Sequence, residues 1–242
     1  MPARFFTPYM KKNIIFDFYD TLCKVDEEKF LNGKKDLAAV FGTDFDTFFR
    51  AWRETGRRNI TGELRTTAAR LSEITAILEI KRDKQVIEEA AKKNDEAFAL
   101  SCSPYPEALD AVKAAKAGGY DLFILSNASS NIRAVWNRNF RMFEGLFNKI
   151  YFSCDHGFAK PDGNFFKLLI EKEGIRPADS YYTGDGNDLE LDVAGSYGFT
   201  TIKVSHEVLG VYRFSESTRW DIEIASLSEL MEKIKKNEQR KE

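Results

Sequence analysis

The stretch Ile14–Leu22, with the sequence IIFDFYDTL, decides the fold because it joins an apolar run to an acid. The apolar residues predict a buried strand over Asn13–Phe16, which places Asp17 at the carboxyl end of that strand. A strand-end Asp commonly caps the turn that follows, so Asp17 on its own is explained equally well by structure or by function. The choice between the structural and the functional interpretation therefore depends on which other residues lie at the same sheet edge.

Strands and helices alternate from about Pro104 onward, which is typical of a parallel sheet with helices on both faces. In such a sheet, ligands bind beyond the carboxyl ends of the strands. The expected fold class is therefore α/β, with a Rossmann-like parallel-sheet core. The predicted strands are Asn13–Phe16, Tyr120–Leu125, Lys149–Phe152, Ser180–Thr183, Thr200–Val204 and Trp220–Ile224, and the predicted helices are Glu107–Ala117, Gly163–Glu173 and Leu227–Lys236.

A region with only helical patterns separates the first predicted strand from the second. Its apolar residues recur at spacings of three and four, which predicts helices over Asp44–Thr55, Gly62–Leu78 and Asp83–Leu100. The following segment Ser103–Pro106 predicts an extended boundary, because each Pro restricts the residue before it. We therefore expect a core domain of residues 1–23 and 104–242, with a helical domain of residues 24–103 inserted into it.

Polar residues accompany the later strands as well. Ser126 and Asn127 follow the second predicted strand, and Asp185 follows the fourth in a Gly-rich loop. Lys160 precedes a proline that we place in the first turn of a helix. Ser and Asn also cap helices, so each signal is weak when taken alone. Because the carboxyl ends of parallel strands meet at one edge, we expect these side chains to converge with Asp17.

Composition excludes several classes of function. The 242 residues carry 36 Lys+Arg against 38 Asp+Glu, so no net basic field favours nucleic acid. No apolar run approaches the roughly 20 residues that span a bilayer, and the N-terminal residues lack the apolar core of a secretory signal. Three widely spaced cysteines favour reduced thiols over a disulfide framework or a zinc site. We expect a cytoplasmic protein with neither nucleic acid nor membrane as partner.

The four polar positions make the chain similar to the haloacid dehalogenase (HAD) superfamily of hydrolases, over about Asn13 to Ile234. That family carries a strand ending in Asp-x-Asp-x-Thr, a Ser or Thr after a strand, a Lys, and a Gly-Asp followed by another acid. The order and spacing match here, at the positions Asp17, Ser126, Lys160 and Asp185. The resemblance implies that residues 24–103 form a helical cap of the first type, which covers the active site and helps to select the substrate.

The resemblance also implies a chemistry for these residues. Asp17 would attack a phosphoryl group or an electrophilic carbon and form an aspartyl intermediate, which water then hydrolyses. Lys160 would stabilise the negative charge of nucleophile and substrate. Ser126 and Asn127 would bind the phosphoryl oxygens beside it. The implied partner is a small phosphorylated or otherwise anionic substrate.

A Mg²⁺ ion is the implied cofactor, because it would offset the repulsion between a carboxylate and a phosphate. The implied ligands are Asp17, the backbone carbonyl of Tyr19, Asp185 and one further acid. That acid is Glu190, five residues after Asp185, or Asp188, three residues after it. The Glu190 spacing matches the family better, although acids here also suit the start of a helix.

Tyr19 departs from the family's phosphatases, which carry a general acid and base two residues after the nucleophile. Asp20 follows, but neighbouring residues on an extended chain point in different directions, so it is no simple substitute. A Tyr at this position is similar to the 2-haloacid dehalogenases, whose halide leaving group needs no acid and whose chemistry needs no Mg²⁺. The acids of the loop that begins at Asp185 favour a phosphatase instead.

Three functions are therefore left open. The first is a Mg²⁺-dependent phosphatase of a small phosphorylated metabolite, slowed by Tyr19. The second is a 2-haloacid dehalogenase-like enzyme in which Arg50 or Arg53 of the cap binds the substrate carboxylate. The third is a catalytically impaired module that binds a phosphorylated ligand. Arginines near Trp52 are more often a solvated helix face, which is the interpretation that we favour for this cluster. Substrate identity and oligomeric state are left open too.

Overall fold

The computed structural model describes residues 12–206 and 215–240, and its centre is a six-stranded parallel sheet. All six strands predicted from the sequence are present, and the last is shortened to three residues. The six strands are β1 Asn13–Phe16, β4 Asp121–Ser126, β5 Lys149–Phe152, β6 Ser180–Gly184, β7 Thr200–Val204 and β8 Ile222–Ile224. Their order across the sheet is β5-β4-β1-β6-β7-β8.

Strand β1 lies between β4 and β6 and is buried along its whole length, as its apolar sequence predicts. Phe16, its last residue, pairs with Ile124 of β4 and with Thr183 of β6. This register brings the carboxyl ends of three central strands to one edge of the sheet. Helices cover both faces of the sheet; they are α6 Ala108–Ala117, α7 Ile132–Val135 with a π-helical turn over Trp136–Phe140, α8 Gly163–Glu173, α9 Glu190–Ser196 and α10 Leu230–Gln239.

The helical segment, Glu27–Ser101, contains α1 Glu27–Val40, α2 Phe45–Glu54, α3 Gly56–Ile60, α4 Thr67–Ile77 and α5 Lys84–Ser101. The sequence analysis missed α1 because its buried face is interrupted by a Lys: the inward residues are Phe30, Lys34, Leu37 and Ala38. The helical segment has its own apolar cluster, which includes Phe48, Trp52 and Leu71.

Two short antiparallel strands flank the helical segment, β2 Cys23–Val25 and β3 Cys102–Pro104. The expected extended boundary over Ser103–Pro106 is thus partly a strand. The expected place of Pro161 in a first helical turn is wrong, because α8 begins at Gly163 and the side chain of Asp162 caps it by accepting from the N–H of Asn164 at 2.9 Å. Within the described ranges, no helix combines the length and apolar character needed to cross a membrane.

Candidate active site

The four polar positions meet at the carboxyl edge of the sheet, as the sequence predicts. Asp17 follows β1, Ser126 ends β4, and Asp185 follows β6. Lys160 comes from the loop between β5 and α8. All four line a cavity of about 500 Å³ between the sheet edge and the helical segment. A cavity of this volume is in the range of small-molecule sites.

Lys160 is the electrostatic centre of the site. Its buried Nζ donates hydrogen bonds to Asp17 Oδ1 at 2.6 Å, to the Tyr182 hydroxyl at 3.2 Å and to Glu190. Burial lowers the pKa of Lys160, because it disfavours the charged ammonium. The carboxylates of Asp17 and Glu190 have the larger opposite effect, so the pKa of Lys160 is raised overall. The side chain is therefore a fixed positive charge beside Asp17.

Glu190 is wholly buried and closely held at the start of α9. Its Oε1 accepts from the N–H of Gly186 at 3.1 Å, and its Oε2 accepts from the Tyr182 hydroxyl at 2.8 Å and from Lys160. Burial raises the pKa of Glu190, and the nearby acids raise it further. A Cβ on Gly184 would lie 2.0 Å from Glu190 Oε1, so this position has room only for Gly.

Three buried carboxylates converge at the site, those of Asp17, Asp185 and Glu190, and their ligand oxygens lie within 4.8 Å of one another. Lys160 contacts two of them, Asp17 and Glu190. Carboxylate oxygens in a buried cluster fit Mg²⁺. Asp188 lies outside this cluster, and its Oδ2 accepts from Asn127 Nδ2 at 2.7 Å.

Tyr19 packs its ring against those of Phe18 and Phe98, with centroids 5.1 and 6.0 Å apart. Its hydroxyl is buried and has no hydrogen-bond partner among residues 12–206 and 215–240. Burial raises the pKa of this hydroxyl well above its usual value. Tyr19 is therefore a poor proton donor for a leaving group. Asp20 also lines the cavity, on backbone with a φ of 56°.

The side chain of Asn127, which the resemblance assigns to substrate binding, lines the cavity and also holds the Lys160 loop. Its Nδ2 donates to the Lys160 carbonyl at 3.0 Å, and its Oδ1 accepts from the Lys160 N–H at 2.7 Å. The side chain of Ser126 is held less tightly than that of Asn127. Its buried hydroxyl donates a long hydrogen bond, 3.5 Å, to the Asn127 carbonyl. That hydroxyl can therefore turn to a ligand in the cavity.

Arg57 of the helical segment also contacts the Lys160 loop. Its Nη1 donates to the carbonyl of Lys160 at 3.0 Å and its Nη2 to the carbonyl of Ala159 at 3.1 Å. Arg53 lines the cavity too, whereas Arg50 is not part of its lining. Sequence patterns did not distinguish these arginines, because a charged helix face has the same spacing whether it meets solvent or a cavity.

Comparisons with known proteins agree with this geometry. The sequence model of haloacid dehalogenase-like hydrolases matches residues 11–198. Glyceraldehyde 3-phosphate phosphatase of Methanocaldococcus jannaschii is 22% identical over 228 residues, which cover 93% of this chain and 98% of the relative. (S)-2-haloacid dehalogenase 4A of Burkholderia cepacia is 25% identical over 139 residues, which cover 56% of this chain and 57% of the relative.

Solved structures share the fold. A HAD family enzyme from Bacteroides thetaiotaomicron, in complex with magnesium and inorganic phosphate, superposes with a TM-score of 0.66 at 20% identity, over 85% of this chain and 100% of that one. L-2-haloacid dehalogenase from Xanthobacter autotrophicus, with chloropropionic acid covalently bound, superposes with a TM-score of 0.62 at 16% identity. The match covers 93% of this chain and 99% of that one. With its family match, its sheet and its four polar positions in agreement, the chain belongs to the haloacid dehalogenase-like hydrolase family.

Proposed function

We propose that this hydrolase is a Mg²⁺-dependent phosphatase of a small phosphorylated metabolite and works through an aspartyl-phosphate intermediate. The observation that carries the proposal is the convergence of the buried carboxylates of Asp17, Asp185 and Glu190, whose ligand oxygens lie within 4.8 Å of one another. Carboxylate oxygens at this spacing suit a bound Mg²⁺, which a metal-free dehalogenase would not need. The Methanocaldococcus jannaschii phosphatase, similar over nearly its whole length, supports this choice.

Asp17 is the proposed nucleophile. It attacks phosphorus, the bond to the ester oxygen breaks, and water then releases phosphate from the Asp17 carboxylate. Asp17, Asp185, Glu190 and the Tyr19 carbonyl would hold Mg²⁺, which would supply positive charge to offset the repulsion between carboxylate and phosphate. Lys160 fixes Asp17 Oδ1 by its hydrogen bond of 2.6 Å, and the Ser126 hydroxyl donates to a phosphoryl oxygen.

Residues 24–103 are the proposed cap domain, over a core of residues 1–23 and 104–242. Support comes from the pairing of Val25 with Cys102, which joins the two ends of the helical segment. The cavity between the helical segment and the sheet edge gives further support, because both contribute to its wall. Residues 1–11 of the proposed core lie outside the described residues.

A 2-haloacid dehalogenase is the second candidate function, and Tyr19 favours it. A halide leaves without a proton, so a site with a buried, weakly acidic Tyr19 hydroxyl suits halide better than an alkoxide. Arg53 is then the cap residue placed to meet a substrate carboxylate, since it lines the cavity. The similar Burkholderia cepacia dehalogenase supports this candidate over about half of the chain.

The deciding experiment measures phosphate release from a panel of phosphate monoesters and halide release from 2-chloropropionate, each with Mg²⁺ and with EDTA. Asp17→Asn is the blank, because it keeps the side-chain volume and removes the nucleophile. Phosphate release that needs Mg²⁺ and disappears in Asp17→Asn supports the phosphatase. Halide release that EDTA leaves unchanged contradicts it and establishes the second candidate, whereas phosphate binding without either product indicates a binding module.

A further inference from the structure

A short segment from beyond β7 lies along the loop that carries Asp185 and Glu190. It consists of residues 215–218, which we call the bracing segment. Asn187 of the loop and Glu216 of the bracing segment pair as an antiparallel bridge. Two backbone hydrogen bonds flank this bridge, from the Leu189 N–H to the Ser215 carbonyl at 3.2 Å and from the Ser217 N–H to the Gly186 carbonyl at 2.7 Å. The loop is therefore supported by a part of the chain that contains none of the four polar positions.

Ser217 is the residue of the bracing segment that holds both ends of this loop, and it is buried. Its N–H donates to the carbonyl of Gly186, the residue after Asp185. Its hydroxyl oxygen accepts from the N–H of Leu191, the residue after Glu190, at 3.0 Å. One residue thus joins the point where the loop leaves Asp185 to the point where it has just passed Glu190.

The hydrogen bond to Leu191 provides helix α9 with a cap that its own sequence lacks. The N–H groups of a first helical turn have no partner within the helix, and a Ser, Thr, Asp or Asn directly before the helix usually accepts from one of them. Helix α9 is preceded by Leu189, which has no side-chain acceptor and lies in the left-handed region with a φ of 53°. Such a backbone persists only where its surroundings hold it. Ser217 supplies the missing acceptor from the bracing segment.

The position of Glu190 depends on both contacts of Ser217. Glu190 Oε1 accepts from the N–H of Gly186 at 3.1 Å, and the carbonyl of Gly186 accepts from Ser217. Glu190 also begins α9 directly before Leu191, whose N–H donates to Ser217. A residue that orients a metal ligand in this way changes the affinity for the metal without contacting it.

We propose that Ser217 is a positioning residue for the acid cluster, which holds residues 186–191 so that Asp185 and Glu190 present their carboxylates to one Mg²⁺ ion. The proposal rests on the phosphatase function proposed above. It assigns a role in that function to a residue far along the chain from the motifs, which acts through the backbone on either side of Glu190.

Binding of Mg²⁺ tests this role without turnover. Ser217→Ala removes the acceptor for Leu191 and should raise the Kd for Mg²⁺, measured by calorimetry, about tenfold or more. Thr218→Val is the matched control, because it removes a neighbouring hydroxyl that donates to Asp192 Oδ1 at 3.0 Å, outside the acid cluster. Its Kd should stay within a few-fold of the wild-type value. Thermal unfolding of the metal-free proteins shows how much stability each variant loses.

Kinetics separate positioning from a general loss of structure. Phosphate release by Ser217→Ala should need about tenfold more Mg²⁺ for its half-maximal rate, while KM for the ester at saturating Mg²⁺ stays within a few-fold of the wild-type value. A smaller fraction of folded enzyme would instead lower kcat and leave the Mg²⁺ requirement unchanged. Ser217→Thr keeps a hydroxyl and should restore the Mg²⁺ requirement of the wild type.

The outcomes distinguish this role from the phosphatase itself. Ser217→Cys, which replaces the hydroxyl by a poorer acceptor, is the second variant in case Ser217→Ala loses the fold. A Kd for Mg²⁺ within a few-fold of the wild-type value in the folded variants overturns the role of Ser217 while the phosphatase stands. A wild-type protein that neither binds Mg²⁺ nor releases phosphate overturns the phosphatase, and the role of Ser217 with it.

Discussion

At the scale of single residues, Tyr19 determines which leaving groups the proposed phosphatase should accept. Its hydroxyl is buried, has a raised pKa and lacks a hydrogen-bond partner within the described ranges, so we expect it not to protonate a departing alkoxide. An aryl phosphate such as p-nitrophenyl phosphate needs no such proton. The rate should therefore depend strongly on the acidity of the leaving alcohol.

Tyr19→Asp tests this reasoning. We expect kcat for an alkyl phosphate to rise by about 10²–10⁴-fold, the usual contribution of general acid catalysis, and kcat for p-nitrophenyl phosphate to change much less. Tyr19→Phe is the control, because it removes only the unpartnered hydroxyl and should keep both rates within a few-fold. An unchanged alkyl phosphate rate in Tyr19→Asp would mean that another group, such as Asp20, already donates the proton.

Gly184 provides a second prediction at this scale. A Cβ there would lie 2.0 Å from Glu190 Oε1, so Gly184→Ala should displace the carboxylate that contacts Lys160. We expect kcat to fall at least about tenfold, since one charge-assisted hydrogen bond is disturbed. The control Gly195→Ala adds a Cβ 3.8 Å from Thr201 Cγ2, an ordinary contact. Equal kcat values for the two variants would contradict the assigned role of Glu190.

At the scale of the elements, the sequence predicted the sheet well and the helical segment less well. Strand β1 was clear because its three consecutive apolar residues, Ile14–Phe16, are a strong signal. Helix α1 was missed because Lys34 occupies its inward face, where a pattern of apolar residues expects an apolar side chain. A buried polar side chain therefore hides an amphipathic helix from a search for apolar spacing.

The candidate site was predicted in part: its four polar positions were expected to meet, but some of their contacts were not. Asp17, Ser126, Lys160 and Asp185 follow strands of one parallel sheet, so topology alone brought them together. Asn127 and Arg57 were not assigned their contacts with the Lys160 loop, because these depend on where a side chain points across the cavity. Spacing along the chain carries no information about such contacts.

The loop between α3 and α4 meets the core at Gly62, and this contact yields a prediction for an element. A Cβ on Gly62 would lie 2.1 Å from the Cys154 carbonyl oxygen, and φ is +77°. Gly145 has the same φ with no atom within 4 Å of its Cβ position, so Gly145→Ala measures the backbone cost alone, about 1–2 kcal/mol. Gly62→Ala should lower the free energy of unfolding in urea by clearly more than Gly145→Ala does. Equal decreases in the two variants would show that the loop moves to make room for the Cβ without a further loss of stability.

At the scale of the whole molecule, the proposed Mg²⁺ site predicts a link between metal binding and stability. Three buried carboxylates offer ligand oxygens in the folded protein, so Mg²⁺ should bind the folded state in preference to the unfolded one. At a Mg²⁺ concentration of 100 times Kd, we expect a stabilisation of about 2.7 kcal/mol, seen as a higher unfolding temperature. EDTA should reverse it.

Three variants separate the acids in the same measurement. Asp185→Asn should abolish the Mg²⁺ shift, because it removes one of the three proposed carboxylate ligands. Asp188→Asn should keep most of the shift, since Asp188 contacts Asn127 outside the cluster. Loss of the shift in Asp188→Asn, with retention in Glu190→Gln, would exchange the roles of these two acids.

The two hydrogen bonds from Arg57 to the carbonyls of Ala159 and Lys160 tie the helical segment to the Lys160 loop. A movement that lifted the helical segment from the sheet would break both bonds and loosen the loop whose Lys160 contacts Asp17. Under the proposed function, ligands would exchange in an open molecule with a loosened Lys160 loop, and Asp17 would be fixed for reaction only in the closed one. The same two bonds would thus restrict hydrolysis to a ligand that the molecule has already enclosed.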